Sequence, residues 1–107
     1  MSKLAQAIDN TIAWLETNPY DRCTGNLAQD EHGDKVSVLD PDACSWCALG
    51  YLARELKLDA YNTDEVYPPL YAVNADLRLD EIWNNNDRGR LPAVIQNLRT
   101  IKDHIHE

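Results

Sequence analysis

Residues 44–56, Cys-Ser-Trp-Cys-Ala-Leu-Gly-Tyr-Leu-Ala-Arg-Glu-Leu, constrain this chain more than any other stretch. On a helix, Cys44, Cys47, Ala48, Tyr51, Leu52 and Ala53 cover a wide arc, and Trp46 and Leu49 widen it. A helix apolar on nearly every side must be covered from several directions, so the pattern predicts a central helix. A start signal lies just upstream: Asp40 as cap, Pro41 in the first helical position, and Asp42 where a carboxylate suits the helix dipole. The predicted span is therefore Pro41 to Leu56. Gly50 in its middle costs about 1 kcal/mol against Ala. The compensation expected is close approach by another element.

The other elements follow from periodicity. Leu4, Ile8, Ile12 and Leu15, with Ala5 and Ala7 beside them, predict a helix from Ser2 to Thr17. Asn18-Pro19 stops it, because a residue before Pro avoids the helical region. A third helix is expected from Pro68-Pro69, carrying Leu70, Tyr71, Val73 and Leu77. A short turn at Asp80-Glu81-Ile82-Trp83 and an Asn/Asp/Gly loop from Asn84 to Gly89 follow it. Leu91, Val94, Ile95, Leu98, Ile101 and Ile105 stripe a last helix over Pro92–His104. Residues 25–29 and 34–38 read as two short strands turning at Glu31-His32-Gly33, with Gly33 taking positive φ. Such a hairpin must pack on helices to be stable, and its strand around Val36 and Val38, if its edge is exposed, could pair with another chain. The expected fold is one domain over residues 1–107, mainly α (α+β). It has about four helices packed around a central apolar helix, with one small β-hairpin.

Charge restricts function. Eighteen Asp and Glu against ten Lys and Arg give a net charge of −8, dispersed along the chain. Direct nucleic-acid binding is disfavoured, because phosphate contacts need clustered cations. Acidity serves solubility, and it also attracts a basic partner, including a nucleic-acid-binding protein whose groove the chain would occupy. No stretch approaches the roughly 20 apolar residues of a membrane span. The opening Met-Ser-Lys-Leu-Ala-Gln lacks the apolar segment of a secretory signal, and an odd cysteine count argues against a disulfide scaffold. A cytoplasmic monomer or homodimer without cofactor or membrane partner is expected.

Chemistry-bearing residues are few. Cys44-Ser45-Trp46-Cys47 is a C-x-x-C, but no βαβ unit precedes it as a redox site of the thioredoxin type requires. On a helix its two thiols would share one buried face and pack as small hydrophobes. Cys23, His32, Cys44 and Cys47 form a conceivable three-Cys, one-His zinc set. The same residues could serve cysteine nucleophile chemistry, with His32 as base and Asn84, Asn85 or Asp87 as orienter. A calcium loop from Asn84 fails, because its fifth and twelfth positions would be Arg88 and Ile95. The segment Trp83 to Arg90 reads either as a turn anchored by a core tryptophan or as a polar recognition loop beside an aromatic. The chain has no Phe, so every aromatic carries a polar handle. Tyr61, Tyr67 and Tyr71 sit among carboxylates, a composition suited to a protein-binding face. A small-ligand pocket lined by Trp46, Trp83 and Tyr51 is a further reading.

Trp46-Cys47-Ala48-Leu49-Gly50-Tyr51-Leu52 resembles the W-C-A-x-G-A-L signature of a family of small actinobacterial and phage proteins of unknown function. Cys23-Thr24-Gly25-Asn26-Leu27-Ala28 followed by Asp34 is similar to that family's C-x-G segment and hairpin. Ile82-Trp83-Asn84 is similar to its aromatic-Asn-Asp element, and Gly89-Arg90 with Val94-Ile95 to the start of its last helix. The resemblance spans residues 20 to 105. Tyr51 departs from the usual small residue, and three Asn precede Asp87 where the family has Asn-Asp directly. The resemblance implies architecture and a phage or mobile-element origin, not an activity.

Together these readings favour a small acidic protein-binding module, phage-encoded, acting as an inhibitor of a host defence protein in the anti-CRISPR manner. Its interface candidates are Tyr61, Tyr67, Tyr71, Trp83, Asn84, Asn85 and Asp87. The alternative is a cysteine-dependent enzyme or zinc-stabilised domain using Cys23, His32, Cys44 and Cys47.

Overall fold

A computed structural model describes residues 3–18, 22–73 and 77–105. Its elements run α1 (Lys3–Thr17), β1 (Ala28–Gln29), β2 (Ser45–Trp46), α2 (Ala48–Glu55), α3 (Thr63–Val73), α4 (Leu79–Asp87) and α5 (Leu91–Asp103). The chain is mainly helical, with a small two-stranded antiparallel sheet.

The two long amphipathic helices form where their periodicity places them. α1 buries Leu4, Ile8, Ile12 and Leu15, with Ala5, Ala7 and Thr11 between them. Thr11, a polar residue in that stripe, donates to the Ala7 carbonyl at 2.7 Å, so its hydroxyl is satisfied inside the core. α5 buries Val94, Leu98 and Ile101. Lys102 on its outer face reaches Asp9 of α1 at 2.7 Å. α1 packs directly on α5, and α2 packs on α1 and α4, burying Ala48, Leu49, Gly50, Leu52 and Ala53. Each fully buried leucine contributes roughly 1.5–3 kcal/mol relative to exposure.

Gly50 has the role that its position in the helix requires. A Cβ there would lie 1.9 Å from the Leu27 carbonyl oxygen, so the 23–28 segment rests directly on the α2 backbone.

Four expected boundaries are corrected. α2 begins at Ala48, not Pro41, and its N-cap is Cys47, whose sulfur accepts from the Gly50 amide at 3.2 Å. Asp40 does cap, but only an isolated turn: its carboxylate takes the Asp42 amide at 2.8 Å. Residues 44–47 are extended instead, because their amides bond the 27–29 segment; Cys44 and Cys47 donate to the carbonyls of Gln29 and Leu27. The partner of β1 is therefore β2 and not residues 34–38, which keep one bridge, Gln29 to Lys35. The turn itself is as expected, with Gly33 at φ +80°. Val36 donates back to the Ala28 carbonyl of β1, and Val38 donates away from it, to the carbonyl of Ala60.

α3 begins at Thr63 and carries Pro68 and Pro69 in its interior rather than at its start. Two missing amides leave the carbonyls of Asp64 and Glu65 without helical donors, so α3 depends on its contacts with the body. Those contacts are Val66 and Leu70, both buried; the expected Tyr71 faces outward. Finally, residues 80–87 are not a turn and loop but the helix α4, extending through all three asparagines.

Candidate interaction face

The decisive residue of α4 is one that the sequence did not single out. Asn86 is 1% exposed. Its Oδ1 accepts the Ala48 amide at 3.0 Å and its Nδ2 donates to the Cys23 carbonyl at 3.1 Å. Its own carbonyl accepts from the Arg22 guanidinium. Beside it, Asp87 accepts the Gly25 amide at 3.1 Å. The pair thus ties α4 to the start of α2 and to the 22–25 segment.

The proposed cysteine and zinc constellation does not assemble. Cys23 and Cys47 are buried, and Cys44 is exposed, so the two C-x-x-C thiols do not share a face. The parallel bridge between Arg22 and Trp46 instead brings Cys23 beside Cys47. His32 is on the surface, 3.4 Å from Glu31, in an open cleft with Asp30, Asp42 and Cys44. Among the described residues no three His, Cys, Asp or Glu side chains are grouped to hold a metal ion. Burial pushes the Cys47 thiol up to about 12, outweighing the Gly50 amide that favours its thiolate. Burial also raises Cys23, against a hydrogen bond from Ser45. Neither thiol is poised as a nucleophile at neutral pH.

Trp46 and Tyr51 do meet, but with Trp14 rather than Trp83. Trp14 stacks on Tyr51 at 4.3 Å, and Trp46 stands edge-on to both. The Arg54 guanidinium covers Trp46 and Tyr51 at 4.9 and 5.1 Å. This cluster is already closed by its own cation and reads as packing.

The aromatic candidates fall on two features joined at Asp64, one side of α3 and a neighbouring cleft. On α3, Asp64, Tyr67, Pro68 and Tyr71 are spaced i, i+3, i+4 and i+7 and so share one side of the helix, away from the buried Val66 and Leu70. Here Asp64, Pro68 and Tyr71 are exposed and Tyr67 is half-buried. The Tyr67 and Tyr71 rings meet edge to face at 6.1 Å. Burial, then Tyr71 and the Asp80 carboxylate, raise the Tyr67 phenol. Asp64 also lines a cleft of about 200 Å³ with Tyr61, Trp83, Lys35, Asn62 and Asn26. Tyr61 is 44% exposed, and its hydroxyl donates to the Lys35 carbonyl at 3.2 Å. Trp83 is half-buried, one part packed on the core and one part lining the cleft. It is thus both anchor and wall.

Residues 59–87 carry seven carboxylates and one cation, Arg78. Arg78 pairs with Glu81 at 3.3 Å. Among the described residues no cation pairs with Asp64 or Asp80. Asn84 is exposed, whereas Asn85 donates to Asn97 at 2.7 Å and Asp87 is bound to Gly25. Tyr61, Tyr67, Tyr71 and Trp83 are therefore brought to one region, while Asn85 and Asp87 hold the scaffold together. Comparison of the chain with family models, curated proteins and solved structures gives no match.

Proposed function

We propose that this protein is a binding module for another protein, and that the α3 stripe with the adjoining Tyr61–Trp83 cleft is the surface it uses. The observation that carries this reading is the outward tyrosine stripe itself. Tyr71 turns to solvent and Tyr67 is half-exposed beside it, next to Asp64 and Asp80, which pair with no cation among the described residues. Tyrosine and tryptophan anchor interfaces because they bury large area with few rotatable bonds and still offer a hydrogen bond. The surrounding negative field steers association toward a basic surface and repels nucleic acid.

A concrete version is a phage-encoded inhibitor acting in the bacterial cytoplasm. It would occupy the basic groove that a nucleic-acid-binding defence protein keeps for its own ligand. The charge and the resemblance to phage proteins support it. Affinity capture from bacterial lysate with the wild-type chain and with a Tyr67→Ala/Tyr71→Ala variant tests the reading. A basic protein retained at low salt, released at high salt and lost with the variant is expected. Capture of the same proteins by both forms would count against it.

A further inference from the structure

The cleft between Tyr61 and Trp83 contains a cation of the protein's own. Lys35 Nζ sits 4.7 Å from the Tyr61 ring centroid and donates to the Asn62 side-chain oxygen. The cleft, at about 200 Å³, is smaller than the roughly 300–1,000 Å³ of pockets that enclose small molecules. It is the size of one inserted side chain. Two aromatic residues, Tyr61 and Trp83, line it together with Asp64, Asn62 and Asn26, whose side chains carry acceptor oxygens. Lys35 presents a single compact ammonium and uses one of these acceptors, that of Asn62. A planar guanidinium stacks on aromatic faces and has five donors in a fork, so it matches several acceptors at once.

We infer that this cleft is a seat for an arginine side chain of the partner, occupied in the free protein by Lys35 as a weaker internal substitute. The inference rests on the protein-binding reading and deepens it. Lys35 is tethered by its own backbone, whose carbonyl holds the Tyr61 hydroxyl. Its ammonium can swing out to solvent on its flexible stem while the ring stays in place. Binding then exchanges an exposed cation–π contact for one buried between protein surfaces, where such contacts strengthen.

The test uses the full chain and three nonapeptides of alternating glycine with arginine, lysine or citrulline, followed by NMR at the Trp83 indole N–H and the amides of residues 61–64. Saturable binding of the arginine peptide is expected, with weaker binding of the lysine peptide and none of the citrulline peptide. Lys35→Ala is expected to tighten arginine-peptide binding about three-fold or more. Lys3→Ala removes the same charge from α1, outside this cleft, and is expected to change it far less. Tyr61→Ala is expected to abolish the shifts at Trp83. Equal binding of arginine and lysine peptides with shifts spread over the acidic surface would overturn the inference. So would equal effects of Lys35→Ala and Lys3→Ala. A natural partner held through Tyr67 and Tyr71 with Trp83 unmoved would overturn this inference alone and leave the binding reading standing.

Discussion

Replacing Asn86 by Ala removes the two bonds that join three segments in the core. The Ala48 amide, in the first turn of α2, loses its acceptor, and the Cys23 carbonyl loses its donor. The site is 1% exposed, so water does not replace them at the surface. Each stranded buried group costs about 1–3 kcal/mol. Asn86→Ala is therefore expected to cost roughly 2–6 kcal/mol, a large part of the ~5–15 kcal/mol typical of a small domain. In a thermal scan 1 kcal/mol moves the midpoint of a domain this size by ~4–8 °C, so a fall of at least about 10 °C is expected. Urea denaturation followed by tryptophan fluorescence gives the same quantity directly. Asn84→Ala on the exposed face of the same helix is the control and should stay within about 0.5 kcal/mol. Asn86→Asp keeps the acceptor for Ala48 but loses the donor and buries a charge. It should be at least as unstable as the alanine variant at pH 7, then recover as acidification protonates the introduced carboxyl and restores a donor. Similar losses for Asn84→Ala and Asn86→Ala, or a loss under about 1 kcal/mol for Asn86→Ala, would refute the assignment.

Three further outcomes follow. Gly50→Ala should destabilise despite the roughly 1 kcal/mol that Ala gains in helix propensity, because its Cβ would meet the Leu27 carbonyl at 1.9 Å; chemical denaturation checks the sign. In thiol titration of the folded protein Cys44 should react readily, while Cys23 and Cys47 react only after unfolding. Since the folded Cys47 thiol is raised from 9.0 to about 12, the unfolded chain gives up its proton first as pH rises. Stability from this group is complete below about pH 9 and falls by up to ~1.4 kcal/mol per pH unit between there and its folded value. Cys47→Ala should remove that part of the alkaline slope.

The sequence made α1 and α5 legible because both are long and one-sided. Gly50 was legible too: a costly residue in an apolar helix implied contact with backbone, and Leu27 supplies it. The start of α2 was not. Asp40-Pro41-Asp42 carries every local signal of a helix start, and the turn that forms does use the Asp40 carboxylate. What ends it is non-local: residues 44–47 pair with the 27–29 segment, which no local pattern reveals. α4 was hidden for the opposite reason. Asn and Asp are poor helix formers, so Asn84-Asn85-Asn86-Asp87 reads as loop until Asn86 finds its two backbone partners in the core. α3 began early because Val66 and Leu70 bury against the body in spite of two prolines. The candidate face was half legible. Composition picked out Tyr61, Tyr67, Tyr71 and Trp83. It could not separate them from Asn85 and Asp87, whose polarity is used internally.

Site-directed photocrosslinking tests the binding surface most directly. A photoreactive side chain is placed at position 71 on the α3 stripe, and in a second protein at position 96 on the exposed side of α5. Both are irradiated in bacterial lysate at low and high salt. A salt-sensitive adduct with a basic protein from position 71, and none from position 96, is the expected result. The same adducts from both positions, or adducts only from position 96, would contradict the assignment of the tyrosine face.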